Sequence, residues 1–417
     1  MNEETRAFVA AHRMENVRDL ALHAKRSESV DMPLALDQIA GWQTARTKLP
    51  EWAACDTVIY PPHLSMEQCS SQSTARYKAT VAERIVGADE TDAADGSSMV
   101  DLTGGFGVDF SYMARGFAHA TYVERQANLC ELAEHNMAAL GLDHVTIVND
   151  EAEHAVETMP PVTLIFLDPA RRDAHGARTY AIADCTPDVL GLIGTLLEKA
   201  PHVMVKLSPM LDWHKTVEDF DGLVHEVHIV SAGDECKELL LVIGRERTAA
   251  PRMYCVDDAQ VMDYATEDDV PARAGVTGRD LVDAGFLYEP NASIMKAGCF
   301  GLVERRFGVR QIAPNSHLFV GGEPVHDFPG RAFAIDAVCT MNKRELRRAL
   351  DGVGKANIAV RNFPMPVAAL RRKLKLKDGG DVYLFATTSA SGEHMLLRTG
   401  KLPEAEAEAG TEAEATA

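Results

Sequence analysis

Between residues 98 and about 245, short apolar runs alternate with helix-like segments. The runs 98–102, 119–124, 144–148, 162–167, 202–207, 224–230 and 238–243 are the strand candidates. The segments 108–117, 126–140 and 187–199 read as helices. This alternation constrains the fold strongly. Crossover connections make such a sheet mostly parallel and cover both its faces with helices. The last two runs are joined only by Ser231-Ala-Gly-Asp-Glu-Cys-Lys237. A parallel crossover needs about a dozen residues, so this pair is predicted to be antiparallel.

The flanks differ from this middle. Residues 1–95 carry apolar residues at helical spacing, as in Val17-Arg-Asp-Leu-Ala-Leu and Leu34-Ala-Leu-Asp-Gln-Ile-Ala-Gly-Trp42, broken by Pro50, Pro61 and Pro62. Asp89–Ser98 has the composition of a linker. Residues 277–325 suggest a small α+β unit. Residues 333–399 alternate strand, helix (343–352), strand (356–361), helix (366–375), strand (381–387) and strand (394–398). The divisions expected are therefore 1–95, 96–248, 249–332, 333–400 and an acidic, low-complexity tail, 401–417, predicted to be disordered. A length of 417 residues suits several domains.

The formal net charge of −20 argues against general adhesion to nucleic acid but leaves room for a local basic patch. No run approaches a membrane span, and the acidic N-terminus has no apolar core of a secretory signal, so a cytoplasmic protein without membrane contact is expected. The eight cysteines are scattered, with no C-x-x-C pair and no His at metal spacing; no metal site and no disulfide framework are expected.

The first strand runs into Asp101-Leu-Thr-Gly-Gly-Phe-Gly107, and the second ends in Glu124. Gly104, Gly105 and Gly107 allow a tight turn and close approach of backbone to a ligand. A carboxylate 17 residues beyond Gly107 is placed to accept hydrogen bonds from two ribose hydroxyls, and Asp150, after the third strand, from an adenine amine. A nicotinamide pocket calls for G-x-G-x-x-G with its third glycine inside the helix, but here that helix begins Val108-Asp-Phe-Ser-Tyr. The turn instead resembles the first motif of class I S-adenosylmethionine-dependent methyltransferases. That resemblance implies a Rossmann-like sheet with an antiparallel last strand, S-adenosylmethionine as cofactor, and Asp101, Thr103, Gly104, Gly105, Gly107, Glu124 and Asp150 around it.

The fourth strand ends in Asp168-Pro-Ala-Arg-Arg-Asp173. Base-modifying methyltransferases place Asp/Asn-Pro-Pro-aromatic here. Asp168 and Pro169 match that pattern, and Ala170 and Arg171 depart from it. Asp-Pro-x-Arg is also similar to the RNA uracil-C5 methyltransferases, whose cysteine nucleophile follows the fifth strand. The corresponding Val205-Lys-Leu-Ser-Pro-Met-Leu-Asp212 has none, leaving Cys236 as the candidate. Methyl transfer asks mainly for alignment and a proton acceptor. Asp168, Pro169 and Arg171 are the expected catalytic residues, with Asp168 aligning or deprotonating the acceptor.

Longer strings extend the likeness: Ser70-Ser-Gln-Ser-Thr-Ala-Arg-Tyr-Lys78, Lys206-Leu-Ser-Pro-Met-Leu-Asp212, Glu235-Cys-Lys-Glu-Leu239, Tyr288-Glu-Pro-Asn-Ala-Ser-Ile-Met-Lys-Ala-Gly298, Asn362-Phe-Pro and Leu374-Lys-Leu-Lys-Asp-Gly-Gly-Asp381. As a set they resemble a bacterial family of class I methyltransferases with a ferredoxin-like domain and a THUMP-like C-terminal domain. The likeness covers nearly the whole chain apart from the tail. It implies RNA, rRNA or tRNA, as substrate, methylated on a base by direct SN2 transfer. Lys343-Arg-Glu-Leu-Arg-Arg348 and Arg371-Arg-Lys-Leu-Lys-Leu-Lys377 are basic helices in an acidic chain, and Arg371, Arg372, Lys373 and Lys375 are the expected phosphate grip. Two alternatives stand beside this reading: a non-catalytic RNA-binding or assembly protein with a vestigial pocket, and a methyltransferase of a small molecule or protein.

Overall fold

The computed structural model describes residues 1–23, 29–88, 96–171 and 182–402. Most of the expected linker (89–95), Arg172, Asp173 and the tail from 403 lie outside the described residues, as does the side chain of Arg171. The chain divides into two compact units, residues 1–232 with 237–253, and residues 233–236 with 254–417.

The first unit begins with six helices: α1 (Glu3–His12), α2 (Val17–His23), α3 (Met32–Lys48), α4 (Pro50–Ala54), α5 (His63–Gln68) and α6 (Gln72–Ala88). Their starts follow capping chemistry. Asn2 Oδ1 accepts from Thr5 N, and Asp31 accepts from Leu34 N ahead of Pro33. The alternating region follows as β1 (Ser98–Asp101), α7 (Val108–Met113), β2 (His119–Glu124), α8 (Ala127–Ala139), β3 (Val145–Asn149), α9 (Ala152–Thr158), β4 (Leu164–Leu167), α10 (Val189–Lys199), β5 (His202–Leu207), α11 (Trp213–Asp219), β6 (Val224–Ala232) and β7 (Glu235–Gly244).

These strands lie in the order β3-β2-β1-β4-β5-β7-β6. The pairs β3–β2, β2–β1, β1–β4 and β4–β5 are parallel, and β5–β7 is antiparallel. The fold is the expected α/β, Rossmann-like methyltransferase sheet, mostly parallel with an antiparallel last strand. Central strand β4 is buried along its whole length, as a strand covered on both faces must be. The N-terminal helices join the sheet through one continuous core that includes Trp52, Tyr60, Ala82, Phe106, Phe110 and Tyr122. Strand order reverses between β1 and β4, which places a ligand crevice beyond the carboxyl ends of these strands.

The second unit contains α12 (Gly278–Val282), β8 (Phe286–Pro290), α13 (Ala292–Ala297), α14 (Phe300–Phe307), β9 (Arg310–Gln311), β10 (Phe319–Gly321), β11 (Gly330–Thr340), α15 (Lys343–Ala349), β12 (Asn357–Val360), α16 (Val367–Leu374), β13 (Val382–Thr388) and β14 (His394–Lys401). One sheet carries these seven strands in the order β9-β10-β8-β11-β14-β13-β12. Side-chain alternation gives it two cores. Phe385, Met395 and Leu397 join Leu287 and Phe333 in one, and Leu384, Ala386 and Leu396 join Leu370 and Ala349 in the other. Helices α15 and α16 pack on this second face.

The Tyr288–Gly298 string has a structural account. Tyr288 Oη donates to Glu323 O and accepts from Val325 N, and Asn291 caps α13 by accepting from Ile294 N. Buried Glu289 binds Arg331 through one carboxylate oxygen and Arg361 Nη2, at 2.7 Å, through the other. No described helix is long and apolar enough to cross a membrane.

Candidate active site

A cleft of about 280 Å³ opens at the carboxyl ends of β1–β4, and Ser65 and Gln68 of α5 with Cys69 and Ser70 of the connection to α6 contribute to its wall. The turn after β1 is built by its glycines. A Cβ on Gly104 would lie 2.1 Å from the Tyr122 ring, so only glycine fits beneath that fully buried side chain. Tyr122 Oη in turn donates to Gly105 O at 2.6 Å. Gly105 (φ +54°) and Gly107 (φ +82°) both occupy the left-handed region, and Gly107 starts α7. Around Gly105 a Cβ would meet nothing closer than 3.7 Å, so that face of the turn is open.

Each carboxylate around the turn has a defined environment. Glu124 Oε2 accepts from Gly105 N (3.0 Å) and Oε1 from Gln126 N (2.9 Å), leaving a second lone pair on each oxygen. Asp101 is buried, its Oδ1 accepting from Thr103 N (2.9 Å) and Thr103 Oγ1 (3.3 Å). Burial, assisted by the carboxylates of Asp109 and Asp168, pushes its pKa up to about 8. Asp150 is engaged otherwise, with Oδ2 2.6 Å from His154 Nδ1 and Oδ1 accepting from Glu151 N. The hydrogen bond from His154 lowers its pKa.

Thr103 ties the turn to the loop after β4, its Oγ1 accepting from Asp168 N at 2.6 Å. Asp168 lines the cleft, while Pro169 is buried behind it. Asp168 Oδ2 lies 2.5 Å from Lys206 Nζ, an ammonium group the sequence reading did not single out. Lys206 extends from β5 into the cleft wall and also lies 3.4 Å from Asp109 Oδ2. Despite burial, the carboxylates of Asp168, Asp109 and Glu238 hold its pKa well above the ordinary lysine value. Asp109 is fixed by Ser70 Oγ (2.7 Å) and by Lys78 Nζ (3.2 Å to Oδ1). Lys78, with no exposed side-chain surface, also donates to Glu238 Oε1 at 2.5 Å. The resulting chain of charges, Asp168–Lys206–Asp109–Lys78–Glu238, draws on the loop after β4 and on β5, α7, α6 and β7.

Cys69 lines the cleft, but burial pushes its thiol up to about 11, so it is no ready nucleophile. The phenylalanines among the described lining residues, Phe106 and Phe166, are packed in the core rather than presented to the cleft.

In the second unit, one member of the expected phosphate grip is committed elsewhere. Arg371 Nη1 donates to Ala356 O (2.9 Å) and Lys377 O (3.1 Å), and its Nη2 pairs with Asp378 Oδ1 (2.6 Å). Arg371 therefore ties α16 to the neighbouring strand and turn. Arg372, Lys373 and Lys375 are exposed, as are Lys343, Arg344, Arg347 and Arg348 on α15. Residues 330–401 hold 14 Lys and Arg against 6 Asp and Glu, a net charge of +8 within a chain of −20.

Comparison with known proteins adds three kinds of finding. Residues 330–401 match a THUMP domain-like family model, and residues 286–329 match a ferredoxin-like domain model. A solved structure from Porphyromonas gingivalis W83, described as that of a candidate methyltransferase, is 28% identical, covers 97% of this chain and 100% of its own, and superposes with a TM-score of 0.82. Two smaller structures each match about 40% of the chain. A candidate methyltransferase from Streptococcus mutans in complex with SAH is 12% identical, with 40% of this chain and 96% of that one covered and a TM-score of 0.30. A candidate rRNA methylase from Clostridium thermocellum is 16% identical, with 40% and 95% covered and a TM-score of 0.30. No curated protein matches the chain.

Proposed function

We propose that this chain transfers a methyl group from S-adenosylmethionine to a nucleotide in structured RNA. The observation that carries the reading is the cleft itself: an open glycine turn, the Glu124 carboxylate at the end of β2 and Asp168 at the end of β4 surround one crevice at the strand-order reversal. The full-length likeness to the Porphyromonas gingivalis protein supports methyl transfer. The THUMP domain-like match and the basic α15–α16 face support RNA, presented by the ferredoxin-like and THUMP-like parts of the second unit.

The residues present suit the methyl donor. Glu124 retains lone pairs for ribose hydroxyls, Gly105 leaves room for close approach, Asp150 stands at the end of β3 for the adenine edge, and buried Asp101 is an acid that a nearby cation relieves. S-adenosylmethionine supplies an electrophilic methyl on a positively charged sulfur. Asp168, fixed by Thr103 and Lys206, aligns the acceptor beside it, and Pro169 stiffens the loop. Direct displacement requires no covalent bond to the protein, and Arg171, on the same loop, remains a candidate contact to the acceptor.

Calorimetry tests the cofactor. Both S-adenosylmethionine and S-adenosylhomocysteine are expected to bind, and absence of heat with either would remove the enzyme reading. Because the folded pKa of Asp101 lies above its unfolded value, the stability its protonated form provides is full below about pH 4 and lost as pH rises to about 8. A sulfonium favours the ionised form. The affinity ratio of S-adenosylmethionine to S-adenosylhomocysteine is therefore expected to rise about tenfold between about pH 6.5 and about pH 8.5. The two ligands share their other titrating groups, so an unchanged ratio would mean that Asp101 does not face the sulfur.

RNA binding is tested on α16. Changing Arg372, Lys373 and Lys375 together to Ala is expected to leave the melting temperature unchanged, weaken RNA binding at least about tenfold and flatten its salt dependence by about one unit of slope per lost phosphate contact. Arg371→Ala is expected to act oppositely, lowering stability by about 1–3 kcal/mol through the two carbonyls it leaves unpaired. An unaltered salt slope in the triple variant would move the grip off this helix.

A further inference from the structure

We infer that the methyl acceptor is an oxygen, the ribose 2′-hydroxyl of an RNA nucleotide, rather than a nitrogen of a base, and that Lys206 is a catalytic residue beside Asp168. The inference rests on the methyltransferase and RNA reading above and assigns the acceptor atom within it.

Lys206 Nζ sits 2.5 Å from Asp168 Oδ2, and both side chains line the cleft. The pair is not a chance surface contact. Lys206 is 12% exposed and is gripped from behind by Asp109, itself fixed by Ser70 and by the fully buried Lys78, which Glu238 holds in turn. A buried ionic chain of this kind is weak as a source of stability, since apolar residues of similar volume do as well or better. Its effect is to hold one ammonium and one carboxylate at the mouth of the cleft in fixed geometry. Lys78, Asp109 and Glu238 are in this scheme positioning residues.

The charge pattern discriminates between acceptors. An exocyclic amine, or a ring nitrogen that carries no proton, takes on positive charge as it is methylated, and an ammonium beside the aligning carboxylate opposes that charge. Such an acceptor needs a hydrogen-bond acceptor and no cation. A hydroxyl has the opposite requirement. Its oxygen becomes a good nucleophile only as its proton leaves, so it needs a proton acceptor and a cation to stabilise the negative charge that develops on oxygen. Asp168 and Lys206 provide that combination.

The step balances. The hydroxyl oxygen forms a C–O bond to the methyl carbon while the C–S bond breaks, and its electron pair stays on sulfur, which passes from sulfonium to thioether. The hydroxyl proton moves to the Asp168 carboxylate and then to water. Lys206 keeps its protons and donates to the reacting oxygen. Every RNA nucleotide within a chain carries such a hydroxyl, which leaves site selection to the RNA-binding parts.

The test uses the full chain, methyl-labelled S-adenosylmethionine and total RNA from a strain lacking the gene, followed by digestion and mass spectrometry of nucleosides. The expected product is a 2′-O-methylnucleoside, recovered from alkaline hydrolysis as an alkali-resistant dinucleotide. Label on a base overturns the oxygen acceptor while leaving the RNA methyltransferase reading intact; absence of label in RNA overturns both. Lys206→Met is expected to lower transfer by about 10²–10³-fold, the usual loss for one such donor, with S-adenosylhomocysteine affinity unchanged. Lys206→Arg retains the charge and is expected to recover part of the rate with the same product. Transfer by Lys206→Met at the parent rate would overturn the role of Lys206.

Discussion

Lys78→Met is expected to destabilise the first unit by about 3–5 kcal/mol, the largest stability loss foreseen for a single substitution in this protein. Lys78 is fully buried and lies 2.5 Å from Glu238 and 3.2 Å from Asp109. Methionine fills the same space but leaves two carboxylates without their shared cation. Burial already raises the pKa of Glu238, so part of the loss is relieved by proton uptake, and Glu238→Gln in the same chain is expected to recover a further part. The measurement is selective. The protein's three tryptophans, Trp42, Trp52 and Trp213, all belong to the first unit, so tryptophan fluorescence during denaturation follows that unit alone. A change below about 0.5 kcal/mol, the range of ordinary surface substitutions, would show that the network is not coupled as described.

Gly104→Ala is expected to weaken S-adenosylhomocysteine binding about 10- to 100-fold and to lower the stability of the ligand-free protein by about 1–3 kcal/mol. The new methyl would lie 2.1 Å from the ring of Tyr122, which is fully buried and bonded through its hydroxyl to Gly105 O. The ring has nowhere to go, so the turn must move, and with it the peptide that Glu124 holds. Gly105→Ala separates the two effects. Its Cβ meets no protein atom nearer than 3.7 Å, so the ligand-free protein is expected to lose only the left-handed strain of about 1–2 kcal/mol. The cleft-side obstruction then appears in affinity. Equal melting temperatures for the parent and Gly104→Ala would remove Tyr122 as the reason for that glycine.

The legible parts of this molecule are those whose physics is local. Each of β1–β7 overlaps an apolar run, and the short connection before β7 dictates its direction. Helices α9 and α11 were not anticipated, because seven residues are too few for a clear helical period. For α11 the signal available was Asp212, which caps it by accepting from His214 N and Lys215 N. In the site, Asp101, Gly104, Glu124 and Asp168 stand out because each ends a strand or forms the turn after it. Lys206 heads one of the quoted strings, but it sits inside an apolar strand run, where nothing local assigns it a role; in the fold it is half-buried between buried Val205 and Leu207. The Lys78–Glu238 pair spans 160 residues, and a fully buried lysine is the exception that composition arguments exclude. Arg371 shows the same limit: sequence shows a cation, and only the fold shows its bonds to two carbonyls and Asp378.

The sheet of the second unit bears on how such a protein can change over time. The ferredoxin-like match ends at residue 329 and the THUMP domain-like match begins at 330, yet β8 and β11, on either side of that line, are paired from Phe286↔Ala334 to Pro290↔Gly330. Glu289 crosses the same line to hold Arg331 and Arg361. A chain severed there would expose a raw strand edge prone to pairing with other molecules, and would strand a buried carboxylate. Residues 286–401 are thus expected to fold as one piece, and a gene fusion that borrows one half without the other is expected to yield aggregates rather than a transplantable module.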